Sequence, residues 1–384
     1  MDLRWTPEQD DFRHEARNWL VEHRDQWLQS CDHRPESGDT KTGFAQHLEW
    51  ERMLHQGGWA AVSWPSRYGG RDASLWEWLI FEEEYYRAEC PQRVTQNGIF
   101  LLAPTVFEFG NDAQRDHVLP RLAAADDLWC QGWSEPNAGS DLASLTCRAE
   151  RVDDGWLLNG QKTWTTRGAF CTHLFGLFRT DPEQQRHRGL SYLMVPLDAD
   201  GVTVRGFGRL DGDEGFAEVF FDDAFVPDTA IPGGVVLGGV DDGWAVAMAT
   251  TGSERGLTLR SPGRFTAAVN RLVDLASETD HAVTDDIADV WMRAEAYQLF
   301  TLQTVTQLAN GASIGAESSI NKIWWSELDI GIHELALDLL GPDAELEHAW
   351  SKAFQFALSG PIYAGTNEIQ RNIAAERLLG LPRK

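Results

Sequence analysis

The stretch QGWSEPNAGSDLASLTCRAE, residues 131–150, marks the point where the chain changes character. Its first half is rich in Gly, Ser, Pro and Asn, the composition of a loop, and it leads into a run typical of a strand. Two interpretations compete: an ordinary connection between a helix and a strand, or a small-residue loop that approaches a polar planar ligand. In the second, Gly139 permits close backbone approach while Ser134 and Ser140 supply hydroxyls.

The sequence on either side of this loop predicts three regions. Before it, FRHEARNWLVEHRDQWL and SLWEWLIFEEEYYRAE carry apolar residues at helical spacing. After it, short alternating runs separated by Gly, Asp and Pro are typical of antiparallel strands, and helical periodicity then resumes. We therefore expect an α+β fold with an N-terminal helical domain (1–127), a middle antiparallel β domain (128–232) and a C-terminal helical bundle (233–384).

Two further segments carry candidate binding residues. In NGQKTWTTRG (159–168), Asn159-Gly160 predicts a tight hairpin turn. Trp164 is interpreted either as one more strand aromatic or as the cover of a flat ring system. The segment GPIYAGTNEIQRN (360–372) predicts a turn followed by a helix, which Asn367 is suited to cap because its side-chain oxygen can accept from first-turn amides.

Composition narrows the class of protein. The formal net charge is −26, with 59 acidic and 33 basic residues, which argues against a nucleic-acid partner. No apolar run approaches the ~20 residues of a membrane span, and the N-terminus lacks a signal-peptide apolar block. The 5 cysteines lack disulfide-type or metal-type spacing, as expected in a reducing compartment. We expect a cytoplasmic protein without a metal site.

Taken together, in this order and spacing, the three segments resemble the flavin-binding segments of the acyl-CoA dehydrogenases. The resemblance covers essentially the whole chain. It implies bound FAD, an acyl-CoA or acyl-thioester substrate, dehydrogenation to the trans-2-enoyl thioester with hydride passing to the flavin, and an electron-transfer flavoprotein as acceptor. The implied cofactor-binding residues are Trp133, Ser134, Ser140, Trp164, Thr166, Tyr363, Gly365, Thr366 and Glu368. The implied substrate contacts are Ser140, Arg255 and Ala364.

The family resemblance leaves the catalytic base to be found. Many relatives carry a glutamate base where this chain has Ala364, whose backbone amide still matches the family's donor to the thioester oxygen. The isovaleryl and long-chain types instead take the base from a Glu-Arg pair on an earlier helix, which Glu254-Arg255 matches. The resemblance thus implies Glu254 as the α-proton base, against the alternative of a solvated surface glutamate. Flanking glycines, Gly252 and Gly256, indicate close packing there.

Two departures from the family pattern bear on assembly. Relatives hold FAD across a subunit interface with two segments, and neither is intact in residues 264–280 or 336–346. This predicts fewer flavins than chains, in a homo-oligomer or in a heteromer with a related subunit. Alternatives on the same fold are a flavin monooxygenase or oxidase, and a non-catalytic subunit. The length and branching of the acyl chain, and CoA versus carrier protein, stay open.

Overall fold

The computed structural model describes residues 4–31, 34–255, 261–279, 284–312 and 314–383, and leaves the side chains of residues 253–255 undescribed. Its backbone contacts divide the chain into two units. We call the first, made of Met1–Asp25, Ala73–Cys90 and Glu254–Lys384, the helical unit. The second, made of Gln26–Asp72 and Pro91–Ser253, is the sheet unit.

The helices begin and end at positions set by local capping. Reciprocal capping boxes start α3, through Ser74 and Glu77, and α5, through Asn111 and Gln114, and so satisfy first-turn amides. No helix in the described ranges is both long enough and apolar enough to cross a bilayer. A π-helix, Asn97–Leu102, runs directly into α4. The α-helices are α1 (Pro7–Ser30), α2 (Lys41–Gln56), α3 (Leu75–Arg87), α4 (Ala103–Phe109), α5 (Asp112–Ala123), α6 (Gly243–Arg255), α7 (Pro262–Glu278), α8 (Asp285–Ala309), α9 (Glu317–Leu340), α10 (Ala349–Ala357) and α11 (Asn367–Arg377).

Within the described residues, one eight-stranded sheet forms the middle of the sheet unit. Its order is β6-β7-β3-β2-β4-β5-β8, and β1 pairs with β4 in parallel. Most other neighbours are antiparallel, which confirms the α+β class and the helical, β, helical order; the predicted bounds at 127 and 232 stay predictions. The strands are β1 (Trp129–Gly132), β2 (Arg148–Val152), β3 (Gly155–Thr166), β4 (His173–Arg179), β5 (Leu190–Pro196), β6 (Val202–Phe207), β7 (Phe216–Pro227) and β8 (Val236–Leu237).

The predicted hairpin turn at Asn159-Gly160 is wrong. The strand β3 runs straight through it, held by β2 on one side and β7 on the other, and its register against β7 shifts between Leu158 and Gly160. Gly160 has φ of +136°, and a Cβ there would lie 2.8 Å from the Cα of Cys147. The Asn-Gly pair therefore marks a bulge in a central strand, and the turn between β2 and β3 falls at residues 153–154.

Each unit has its own apolar core. In the helical unit, Phe265, Val269 and Leu272 recur at helical spacing on α7 and are fully buried in one cluster with side chains of α8 and α9. In the sheet unit, side chains from both faces of the sheet and from the helices α4 and α5 contribute to a continuous cluster that includes Leu119 and Phe175. The sheet and its covering helices thus form a rigid support for the loop after β1.

Candidate active site

A buried ion pair fixes the loop that follows β1, residues 133–147. The Glu135 carboxylate accepts from the backbone amides of Thr146, at 2.7 Å, and Cys147, at 2.9 Å. It also accepts from Lys162 Nζ at 2.8 Å, and the Lys162 side chain is 0% exposed. Burial acts to raise the pKa of Glu135, but the Lys162 charge and these donors outweigh it and hold the pKa below its ordinary value. The Glu135 carboxylate therefore joins the start of the loop to its end.

Of the predicted ligand residues of this loop, Trp133 is buried and Ser134 is half-buried. The Ser134 carbonyl accepts from the Thr163 amide at 2.9 Å, which ties the loop to β3. Ser140 is exposed. A Cβ built on Gly139 would meet no described atom within 4 Å, so packing inside the chain does not require glycine there. The space beside Gly139 is available to a ligand.

Trp164 is turned out of the sheet by a second irregularity in β3. The register against β7 shifts between Lys162 and Thr165, and Trp164 takes φ of +57°. Left-handed backbone costs a non-glycine residue roughly 1–2 kcal/mol. The indole is 60% exposed, and it is braced edge-on by Phe207 at 5.3 Å and Phe216 at 5.6 Å. This geometry offers a firm, flat apolar surface, close to where Thr163 bonds to the loop.

Charged side chains from distant parts of the chain anchor the end of β3. Arg167, which follows Thr166, donates from Nε to Asp39 Oδ1 at 2.7 Å, and Arg209 donates to Asp39 Oδ2 at 2.8 Å. Burial acts to raise the pKa of Asp39, and the two guanidinium groups bring it below its ordinary value. Sequence reasoning missed Asp39 and Arg167, because no local pattern connects residues so far apart.

The C-terminal segment forms a left-handed turn in the helical unit. Ala364 has φ of +56° and Gly365 has φ of +78°. The Ala364 carbonyl accepts from Gln370 Nε2 at 2.9 Å, and Gln370 is fully buried. Tyr363, just before the turn, packs against Trp325 with ring centroids 5.8 Å apart. A hydrogen bond from α11 and ring packing against α9 therefore hold the turn in place.

The predicted helix cap at Asn367 is wrong by one residue. Thr366 is the N-cap, and its hydroxyl oxygen accepts from the Ile369 amide at 3.3 Å. The buried Asn367 Oδ1 instead accepts from Lys322 Nζ at 2.8 Å and Ser326 Oγ at 3.2 Å, both on α9. Glu368 is exposed in the first turn of α11, where backbone amides lower its pKa.

The proposed base lies outside what the structure describes. Residues 254 and 255 close α6, but the side chains of Glu254 and Arg255 are not described, and Gly256 is outside the described ranges. A Cβ added at Gly252 would meet no described atom within 4 Å, so the described part of the chain does not pack closely there and the expectation of close packing stays a prediction. In the parts of the chain that are described, no group of three or more His, Cys, Asp or Glu side chains is placed to hold a metal ion.

Three family models match the chain in the order of its helical and β regions. The acyl-CoA dehydrogenase N-terminal domain matches residues 6–126, the middle domain residues 130–224 and the C-terminal domain residues 241–379. The chain belongs to the acyl-CoA dehydrogenase family. The loop after β1 and the bulged strand β3 both fall within its middle domain, and the turn at Ala364 within its C-terminal domain.

Similarity to individual acyl-CoA dehydrogenases extends over the full length. The chain is 37% identical over 386 residues to acyl-CoA dehydrogenase IpdE1 of Mycobacterium tuberculosis, with 98% of each protein covered. It superposes on the Tcur3481-Tcur3483 steroid ACAD with a TM-score of 0.87 at 25% identity, and 100% of both chains is covered. For the ChsE4-ChsE5 complex from Mycobacterium tuberculosis the TM-score is 0.82 at 27% identity, again over 100% of both chains.

Membership establishes the cofactor and the enzyme class. Acyl-CoA dehydrogenases are FAD flavoproteins, so this protein is an FAD-dependent oxidoreductase of lipid metabolism. The middle domain fits such a cofactor: it presents an exposed, braced Trp164 and open space at Gly139, features that the chain's own packing does not explain. A flat ring bound against Trp164 would bury the apolar indole surface that is otherwise exposed to solvent.

Proposed function

We propose that this acyl-CoA dehydrogenase converts an acyl-CoA to its trans-2-enoyl thioester. The observation that carries the proposal is the placement of Trp164 on a strained bulge, 60% exposed and braced by two phenylalanines. Strain of this kind is retained where the conformation serves a ligand. A flat redox-active ring is the ligand that such a surface suits.

The proposed roles follow from these positions. Trp164 covers the ring, while Thr166 and the hydroxyls of Ser134 and Ser140 donate to polar edges; Ser140 also lies along the thioester. When bound, FAD supplies the acceptor for the β-hydrogen as hydride. The remaining proposed cofactor contacts are Trp133, Tyr363, Gly365, Thr366 and Glu368.

Proton removal is the step that falls to the polypeptide. A thioester α-proton is only weakly acidic, so its removal needs a carboxylate beside it and donors to the thioester oxygen. We assign the carboxylate to Glu254 and one donor to the Ala364 amide, with Arg255 near the substrate entrance. Loss of one such oxygen donor costs roughly 2.7–4 kcal/mol in transition-state stabilisation, so the amide at 364 matters even without a carboxylate there.

The substrate class is inferred from the relatives. The Tcur3481-Tcur3483 neighbour is a steroid ACAD. We therefore place the acyl group among bulky cyclic acids of steroid origin, carried as the CoA thioester. The electrons would then pass to an electron-transfer flavoprotein.

Anaerobic titration of the purified yellow protein with acyl-CoA esters tests this function. We expect the visible flavin absorption to bleach with a cyclic acyl-CoA, because hydride transfer reduces the ring, and to persist with the matching free acid. The panel should include straight-chain, branched and cyclic esters. Persistence with every ester would contradict the proposal. Fast reoxidation in air with peroxide or hydroxylated product would indicate an oxidase or monooxygenase.

We further propose that the working enzyme is a heteromer with a related subunit. The two family segments that hold FAD across an interface are not intact in residues 264–280 and 336–346. Two structural neighbours, Tcur3481-Tcur3483 and ChsE4-ChsE5, are named as pairs of polypeptides. A second chain with intact segments would complete the FAD site that this chain leaves open.

Flavin stoichiometry tests the heteromer. FAD released by denaturation should amount to fewer than one per chain in the assembly isolated from native cells, and a related acyl-CoA dehydrogenase chain should co-purify. The measurement combines released-flavin absorbance with native mass spectrometry, and the protein produced alone is the comparison. One FAD per chain in a homo-oligomer of this chain alone would exclude the heteromer.

A further inference from the structure

Three neighbouring N–H donors on β1 and the residue after it have no acceptor among the described residues. Trp129 Nε1, Gln131 Nε2 and Trp133 Nε1 are buried and make no hydrogen bond within the described residues. Leaving a buried donor unsatisfied costs about 1–3 kcal/mol each. The three residues are spaced by two along the chain, so their side chains share one face of the sheet. A row of unsatisfied donors on one face indicates a place for an acceptor.

Ring contacts of the two tryptophans agree with this placement. Trp129 stacks on His173 of β4 with centroids 4.6 Å apart, and Trp133 meets Tyr192 of β5 edge-on at 6.4 Å. Gln131 stands between the two tryptophans and is only half-buried, although its amide nitrogen is fully buried. It is thus the polar member of a largely aromatic wall.

Helices of the same unit cover this wall. A Cβ on Gly98 of the π-helix would lie 3.6 Å from the Cβ of Trp129. On the other side, Thr250 of α6 donates to the Tyr192 hydroxyl at 3.4 Å and pairs with Thr105 of α4 at 2.8 Å. The wall therefore faces the interior between the sheet, the π-helix, α4 and α6, and not bulk water.

We propose that Gln131 and Trp133 bind a carbonyl oxygen on the acyl part of the substrate, remote from the thioester. The inference rests on the proposed function and deepens it, because it assigns a substrate carrying a ketone. A carbonyl oxygen has two lone pairs, enough for the amide and the indole donor together, and no proton of its own to place. Both donors are neutral, so a carboxylate would be desolvated there without a counter-charge.

The Gln131 side chain supports this choice over simple packing. An apolar residue at this point of an aromatic wall would avoid the cost of burying an amide. Tryptophan can only donate, and the unsatisfied atom of Gln131 is likewise its donor nitrogen. A ring carbonyl of the flavin has the same acceptor chemistry as a substrate ketone, so the experiment must separate these two sources.

The test compares two ligands that differ in one oxygen, trans-3-cyclohexylpropenoyl-CoA and its ring-ketone analogue, which already carry the trans-2 double bond and so cannot reduce the flavin. Their Kd values are measured anaerobically by calorimetry on the FAD-loaded assembly as purified. We expect the ketone to bind roughly tenfold tighter than the plain ester, since one to two neutral hydrogen bonds are worth about that factor. In Gln131→Leu the ratio of the two Kd values should fall to about one.

Control variants separate the possible outcomes. Gln161→Leu removes an amide that is already bonded to Glu218 at 2.8 Å, and it should preserve the ratio. Gln131→Met is the second variant should the Leu variant fold poorly by circular dichroism. Trp133→Phe removes the second donor and should lower the ratio.

Several outcomes would overturn the inference. A ratio near one in the wild type, no binding of either ester, or a ratio unchanged by Gln131→Leu and Gln131→Met contradicts it. Loss of FAD or a shifted flavin spectrum in Gln131→Leu, with the ratio unchanged, assigns the donors to the flavin. Because the enoyl esters bind without turnover, a selective Kd ratio combined with no flavin bleaching by the saturated esters would sustain the ketone site while the proposed dehydrogenation fails.

Discussion

Glu254→Gln should keep FAD and bind the acyl thioester, yet reduce its flavin roughly 10²–10⁴-fold more slowly than the wild type. The amide retains the size of the side chain but cannot accept the α-proton. The base position at Ala364 offers no carboxylate to take over. The measurement is single-turnover flavin reduction by stopped-flow under anaerobic conditions, with a substrate found by the titration above.

Two further variants make this result specific. Glu278→Gln changes an exposed glutamate at the end of α7 and should reduce its flavin at the wild-type rate. Adding Ala364→Glu to Glu254→Gln should restore part of the rate, because relatives work with a glutamate at that position. A wild-type rate in Glu254→Gln would remove the assignment, and the base would have to be sought elsewhere.

Lys162→Met should lower the free energy of unfolding by about 3–5 kcal/mol, because it leaves the Glu135 charge buried without its partner. The pair is 2.8 Å long, with the two side chains 0% and 6% exposed. Loosening of the loop at residues 133–147 should also weaken FAD retention. Urea unfolding of the apoprotein measures the first effect, and equilibrium dialysis of FAD measures the second.

An exposed ion pair is the control for this substitution. Arg186 pairs with Asp141 of the same loop at 2.8 Å, but the two side chains are 60% and 56% exposed. Arg186→Met should therefore cost at most about 1 kcal/mol. A loss of similar size in the two variants would show that the Lys162–Glu135 pair does not hold the loop.

The dependence on pH gives an independent check of the pair. The pKa of Glu135 lies below its ordinary value in the folded protein. Its stabilising effect is therefore complete above the unfolded-state pKa of about 4.3 and is lost as the pH falls through the lower folded-state pKa. The difference between wild type and Lys162→Met should be largest near neutral pH and should shrink on acidification. A difference that stays constant down to the acid transition would contradict this account.

The sequence by itself determined the order of the three regions and the location of the candidate site segments. Apolar spacing reports which face of a helix or strand is buried, and that information is local to the chain. The loop at residues 131–150, the aromatic segment with Trp164 and the turn at Ala364 were found in this way and by family resemblance. The sequence alone shows that residue 364 carries no carboxylate, and this made Glu254 the candidate base.

Contacts between distant elements explain the two places where local sequence patterns predicted the wrong structure. Asn159-Gly160 has the composition of a hairpin turn, but β2 and β7 hold both edges of β3, and the pair becomes a bulge. Asn367 is well suited to cap a helix, but its side-chain oxygen accepts a hydrogen bond from Lys322 on α9. Thr366 caps the helix instead. In both places bonds to distant elements outweigh a local preference of about 1 kcal/mol.

The supports of the site also became visible only in the folded chain. Asp39 meets Arg167 across 128 residues of sequence, and Glu135 meets Lys162 across 27. Gln131 and Trp133 bury side-chain donors that have no acceptor among the described residues, and no motif encodes this. Local periodicity reports which face of an element is buried, whereas pairing of buried charges and donors depends on which elements meet. Only the packed chain brings those elements together.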